Sequence, residues 1–163
     1  MYWMNRIVKT FLLVVLFTFL GFLKAEIGLC QGCTMNTTSI NFGNYDVFLS
    51  TPLDAVGTIT INCDRHVRTA TVTLNQGLYG TFNPRKMKRS GGADLLDYNV
   101  YNDVTRTAIF GDGSGGSSRV FVNRPGPANR DWSANISMYG RIPPSQNVSV
   151  GTYSDTLTAT VTP

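Results

Sequence analysis

Thr58-Ile59-Thr60-Ile61-Asn62-Cys63 and Thr69-Ala70-Thr71-Val72-Thr73-Leu74 carry the pattern that decides the fold. Apolar and polar residues alternate with a period of two, and Ile, Val and Thr dominate. Such a run puts one face on a core and the other in water, which is a half-buried β-strand. Asp64-Arg65-His66-Val67-Arg68 lies between the two runs and reads as a polar loop.

The same pattern continues outward in both directions. Tyr98–Tyr101, Thr107–Phe110, Arg119–Val122 and Ala134–Tyr139 are further short strands, and the chain closes with Tyr153–Thr162. Gly, Pro, Asn and Asp fill the gaps, as hairpin connections require. Beyond residue 25 no stretch has a helical period. Roughly six to eight short strands in one domain predict an all-β sandwich over residues 32–163. Charged residues make up 15% and hydrophobic ones 42%, too apolar for a disordered chain.

Arg6 and Lys9 precede a 14-residue apolar run from Thr10 to Leu23. This run is shorter than the ~20 residues a spanning helix needs, so residues 1–25 read as an export signal. Cleavage is expected between 25 and 30, leaving a mature protein that does not span a membrane. The formal charge of +4 is mostly a property of this leader, because Arg6, Lys9 and Lys24 lie in it and no acid does. The remainder has 11 bases and 10 acids, hence +1. That balance gives no argument for nucleic acid, which needs clustered cations on the folded domain. One local cluster, Arg85-Lys86-Met87-Lys88-Arg89, reads as a solvated turn.

Three cysteines, Cys30, Cys33 and Cys63, would meet an oxidising compartment, where pairing is the default. A bridge across the 30 positions from Cys33 to Cys63 would contribute roughly 3–4 kcal/mol in the chain-entropy model. Cys30 would then leave with the leader, stay free or compete for Cys63. Cys30-Gln31-Gly32-Cys33 also has the C-x-x-C spacing of a thiol oxidoreductase, but Thr34–Thr38 does not open a helix that would lower a thiol pKa. Two cysteines and His66 make no convincing zinc site.

No catalytic, cofactor or metal site is expected. His66 is the only histidine and has no G-x-S-x-G partner motif. Gly111-Asp112-Gly113-Ser114-Gly115-Gly116 has dinucleotide-loop spacing, yet a strand pattern follows where that loop must open a helix. Tyr79, Phe82 and Trp132 are candidate adhesive aromatics, with core packing the better reading for Trp132.

An ordered set of motifs points further. It comprises Gly32-Cys33-Thr34, Asn41-Phe42-Gly43-Asn44-Tyr45-Asp46, Leu53-Asp54, Gly57–Cys63, Arg85-Lys86-Met87, Leu96–Tyr101, Phe110–Gly113, Tyr139–Pro143, Gln146-Asn147-Val148 and Gly151–Leu157. Together these resemble the spore coat protein U domain family, which includes subunits of archaic, Csu-type chaperone–usher pili. The resemblance implies an immunoglobulin-like β-sandwich lacking its last strand. It implies a Cys33–Cys63 disulfide, which leaves Cys30 extra. It also implies a periplasmic chaperone, an outer-membrane usher and neighbouring pilus subunits as partners, with donor-strand complementation as the mode of assembly. The acceptor edge then runs along Tyr153, Leu157, Ala159 and Val161. The expected path is export, periplasmic transit and the cell surface, with service in adhesion and biofilm as a minor or tip subunit. Cleavage after Ala25 would leave only Glu26–Gly32 before Cys33, at most about 25 Å of extended chain, so this subunit is expected to accept a strand but donate poorly. A self-contained secreted binding module is the alternative.

Overall fold

The computed structural model describes residues 32–163, in which there is no helix. The leader, its cleavage site, Cys30 and the residues just before Gly32 lie outside the described residues. Nine strands follow one another: β1 Cys33–Thr37, β2 Leu53–Cys63, β3 Thr69–Leu74, β4 Arg85–Arg89, β5 Leu95–Tyr101, β6 Val120–Asn123, β7 Trp132–Ile142, β8 Tyr153–Ser154 and β9 Ala159–Thr162.

The backbone of the architecture is the antiparallel ladder of β2 and β7, paired from Leu53↔Ile142 to Cys63↔Trp132. Alternation dictates its inner face: Ile59, Ile61 and Cys63 on β2 meet Ile136, Met138 and Ile142 on β7, all buried. A six-stranded sheet, β1-β2-β7-β5-β4-β8, packs on a three-stranded sheet, β6-β3-β9. Ala70, Val72 and Leu74 of β3 complete the shared core. Trp132 is buried and its indole N–H donates to the Val67 carbonyl at 2.9 Å. Core packing is therefore its role.

Four sequence readings need correction. Arg85–Arg89 is strand β4, not a solvated turn. Its inward positions are Arg85 and Met87, so the run carries no apolar period to read. Arg85 is fully buried, with its guanidinium donating to Asn99 Oδ1 at 2.8 Å, the Asn75 carbonyl at 2.8 Å and the Phe110 carbonyl at 2.7 Å. Burial pushes its pKa down, and the carbonyl dipoles and the Phe82 face, 5.3 Å from the guanidinium, stand in for water. Phe82 is consequently buried, not a free loop aromatic. The closing run Tyr153–Thr162 is two strands in different sheets, β8 on β4 and β9 on β3. Finally, Thr107–Phe110 makes only isolated bridges, from Ile109 to Tyr101 and from Phe110 to Ser118.

The Gly111–Gly116 loop is a turn built on Asp112, whose Oδ1 accepts from the Ser114 amide at 2.8 Å. The strand β6 follows it, as the sequence suggested. His66 sits exposed in the β2–β3 loop.

Candidate functional site: a groove between two sheet edges

The long sheet is rolled, so its first strand comes round to face the end of the chain. One border of the resulting groove is β1 with its continuation, residues 38–46. The other is the C-terminal run through β8 and β9. Two connected hollows of about 630 and about 800 Å³ lie between these borders. Their floor is core: Leu74, Met87, Leu96, Tyr98, Met138 and Ile142.

The N-terminal border is held first by the β1–β2 backbone ladder, paired from Cys33↔Cys63 to Thr37↔Ile59, and beyond it by side chains. Its Cys33 is bonded to Cys63, which takes Cys33 out of any C-x-x-C dithiol with Cys30. After Thr38, whose amide bonds the Thr58 carbonyl at 2.8 Å, the chain leaves the ladder. Ile40 and Phe42 then sink onto the bare backbones of Gly57 and Gly140. A Cβ at Gly57 would stand 2.8 Å from Ile40 Cγ1, and one at Gly140 would stand 2.7 Å from Phe42 Cζ. Only glycine allows this approach. The Tyr45 hydroxyl finishes the border by donating to the Pro143 carbonyl at 3.0 Å and accepting from the Gln146 amide at 2.8 Å.

The C-terminal border is held by its backbone. β8 pairs with β4, the Thr158 carbonyl accepts from the Asn75 amide at 3.0 Å, and β9 pairs with β3. Tyr153, Leu157, Ala159 and Val161 are half-buried and packed on the core, while Ser154, Thr156, Thr158 and Thr160 face out. The structure thus brings all four sequence-derived edge residues onto one border, with Tyr153, Leu157 and Ala159 lining the hollow itself. Asp155 interrupts the apolar face but is engaged: Tyr98 Oη donates to it at 2.7 Å and the Leu78 amide at 2.9 Å. Burial first, and the Asp155 carboxylate second, push the Tyr98 phenol far above its usual range.

Sequence reasoning missed the opposite border. Its inward residues, Ile40 and Phe42, sit among Asn, Gly and Ser and show no strand run. The signal that could have found it is Gly57 and Gly140, glycines inside otherwise β-branched or aromatic strands.

Chemically, such a groove can take an extended segment. Among the described residues both borders are sheet edges, with backbone groups on one side without a strand partner, and alternate side chains of an entering strand would fall on the apolar lining. Among the described residues no three His, Cys, Asp or Glu side chains come together as a metal site.

The sequence model of the Spore Coat Protein U domain matches residues 20–160. Protein U of Myxococcus xanthus is 35% identical over 136 residues, which cover 76% of this chain and 71% of that protein. Among solved structures, the chain is similar to one in the chaperone–tip adhesion subunit pre-assembly complex CsuC–CsuE of the archaic chaperone–usher Csu pili of Acinetobacter baumannii. That likeness has a TM-score of 0.57 at 22% identity and covers 80% of this chain, which spans 39% of the solved one. The likeness is one of fold, an immunoglobulin-like sandwich.

Proposed function

The chain belongs to the Spore Coat Protein U domain family, and from that premise we propose that it is a subunit of an exported surface fibre or coat that accepts a β-strand from another protein in its groove. It is a structural protein and not an enzyme. The observation that carries the reading is the groove floored by core residues between two borders that, among the described residues, are sheet edges. Water over the half-buried lining side chains Ile40, Phe42, Val148, Tyr153 and Leu157 is costly at about 25 cal/mol per Å² of apolar surface. A strand laid across them removes that surface from water and pairs the borders' amides and carbonyls at once.

On this reading a periplasmic chaperone fills the groove in transit, and an outer-membrane usher exchanges that strand for one from a neighbouring subunit. Tyr153, Leu157, Ala159 and Val161 present the receiving edge on one side, and Ile40 and Phe42 hold the backbone on the other. Adhesion and biofilm formation follow as roles of the assembled fibre, with this chain as a minor or tip subunit.

The test is export to the periplasm with and without the chaperone of its own gene neighbourhood. Expected is a chain that aggregates or is degraded alone and copurifies in stoichiometric complex with the chaperone. A soluble monomer that melts cooperatively by itself would overturn the reading in favour of a self-contained binding module.

A further inference from the structure

The groove is not alike at its two ends. At the cysteine end it closes, because β1 comes up against β9 and the hollows stop at Met35 and Ala159. At the other end it runs out between two loops that both line it, Asp46–Phe48 and Val148–Gly151. These loops carry the most exposed apolar side chains on the domain: Phe48 is 92% exposed and Val150 97%, with Leu49 beside them at 54%.

The exposure is built in. The Asp46 carboxylate accepts from the Phe48 amide at 2.9 Å and the Asp46 carbonyl from the Leu49 amide at 3.3 Å, fixing a turn that points both side chains out. The Tyr153 hydroxyl donates to the Ser149 carbonyl at 2.8 Å and holds the facing loop. Apolar side chains held in water at the mouth of a groove mark a contact surface.

We propose that Phe48, Leu49 and Val150 form the seat for the folded body of the subunit whose strand fills the groove. This rests on the strand-acceptor reading above. A strand lying in a groove closed at one end joins the rest of its protein through the other. An extended link spans only about 3.3–3.6 Å per residue, so a short one holds the donor's domain against the mouth. Three side chains are far too small an area to hold a partner alone, since stable interfaces bury about 1,200 Å² or more. The rim therefore works with the strand, fixing the angle between successive domains.

The test uses the native fibre with a photoreactive benzoylphenylalanine at position 48 or 150. A third probe at Phe121, 69% exposed on the outer face of β6, serves as control. Expected is a crosslinked subunit pair from 48 and 150, at least tenfold above that from 121, with the partner peptide coming from the donor's folded domain. Fibres that incorporate the probes but give no pair at 48 and 150, or as much at 121, overturn the rim and leave the groove standing. A chain found in neither fibre nor chaperone complex overturns both. The variant L49S, at a residue outside the hollow's lining, should keep chaperone binding unchanged while the subunit pair dissociates in detergent at a lower temperature. An unchanged dissociation temperature would also overturn the proposal.

Discussion

The two borders of the groove reach the same outcome by opposite means. The N-terminal border is paired to β2 only over Cys33–Thr37, and from there to residue 46 it is fastened through side chains: two apolar groups on glycine seats and one tyrosine hydroxyl, with the disulfide at its root. Between Ser39 and Asn44 its backbone is in no strand. The C-terminal border, Tyr153–Thr162, is fastened through backbone pairing to β4 and β3, with its alternate side chains lying on the core. The difference shows that a sheet edge can be kept available in two ways. One is to leave a regular ladder and be pinned from below. The other is to be the last strand of a ladder and offer its outer side.

The largest expected effect comes from unfastening the first border at its root. Replacing Cys33 and Cys63 together by Ser releases a loop of 30 residues, for which the chain-entropy model gives roughly 3–4 kcal/mol. Urea unfolding of the purified protein, alone or held by its chaperone, measures this through the fluorescence of buried Trp132. A loss below about 1 kcal/mol would mean that the β1–β2 ladder and the glycine seats suffice to hold the border.

A smaller and more selective break is Gly140→Val. The new side chain would occupy the place of Phe42 Cζ and Ile40 Cγ2, both within 2.8 Å of its Cβ. Overpacking of this kind costs about 1–3 kcal/mol, and here the cheapest relief is to expel residues 39–45. The β2–β7 ladder should survive, since Gly140 pairs through its backbone. Chaperone copurification should fall while protein that still folds keeps its disulfide. Full retention of the chaperone would show that the C-terminal border suffices for pairing.

How far these borders could be read from sequence follows from how each is held. β2, β3 and β7 announce themselves, because Ile, Val and Thr alternate over a buried face. The C-terminal border does too, since Tyr153, Leu157, Ala159 and Val161 keep period two even where the chain passes from one sheet to the other. Its role as an edge, however, came from the family resemblance and not from the pattern. β4 was illegible because its inward side chain is Arg85, whose burial depends on carbonyls contributed by Asn75 and Phe110 from distant loops. The N-terminal border was illegible because it has no period. What fixes Ile40 and Phe42 is the absence of two Cβ atoms, about 20 and 100 positions further along the chain.

The smallest effect sharpens the comparison at its exceptions. The C-terminal border also has side-chain anchors: Asp155 accepts from Tyr98 Oη at 2.7 Å and from the Leu78 amide at 2.9 Å, and Asn75 Oδ1 accepts from the Thr158 amide at 2.9 Å. Because Tyr98 is 4% exposed, burial favours its neutral phenol, and the neighbouring carboxylate adds to that. Its folded pKa lies above the unfolded value near 10, so the stabilising contribution is fully present below pH 10 and is lost as pH rises beyond it. The native domain should therefore lose stability above pH 10 with a slope of about 1.4 kcal/mol per pH unit from this one group. Tyr98→Phe should cost about 1 kcal/mol at neutral pH, the net worth of one hydrogen bond, and should flatten that part of the alkaline slope. An alkaline slope unchanged in Tyr98→Phe would mean the phenol is not what ties this border down. The C-terminal border would then rest on its pairing to β4 and β3 with the Leu78–Asp155 and Thr158–Asn75 bonds, and its contrast with the stretch beyond β1, which has no ladder, would be sharper.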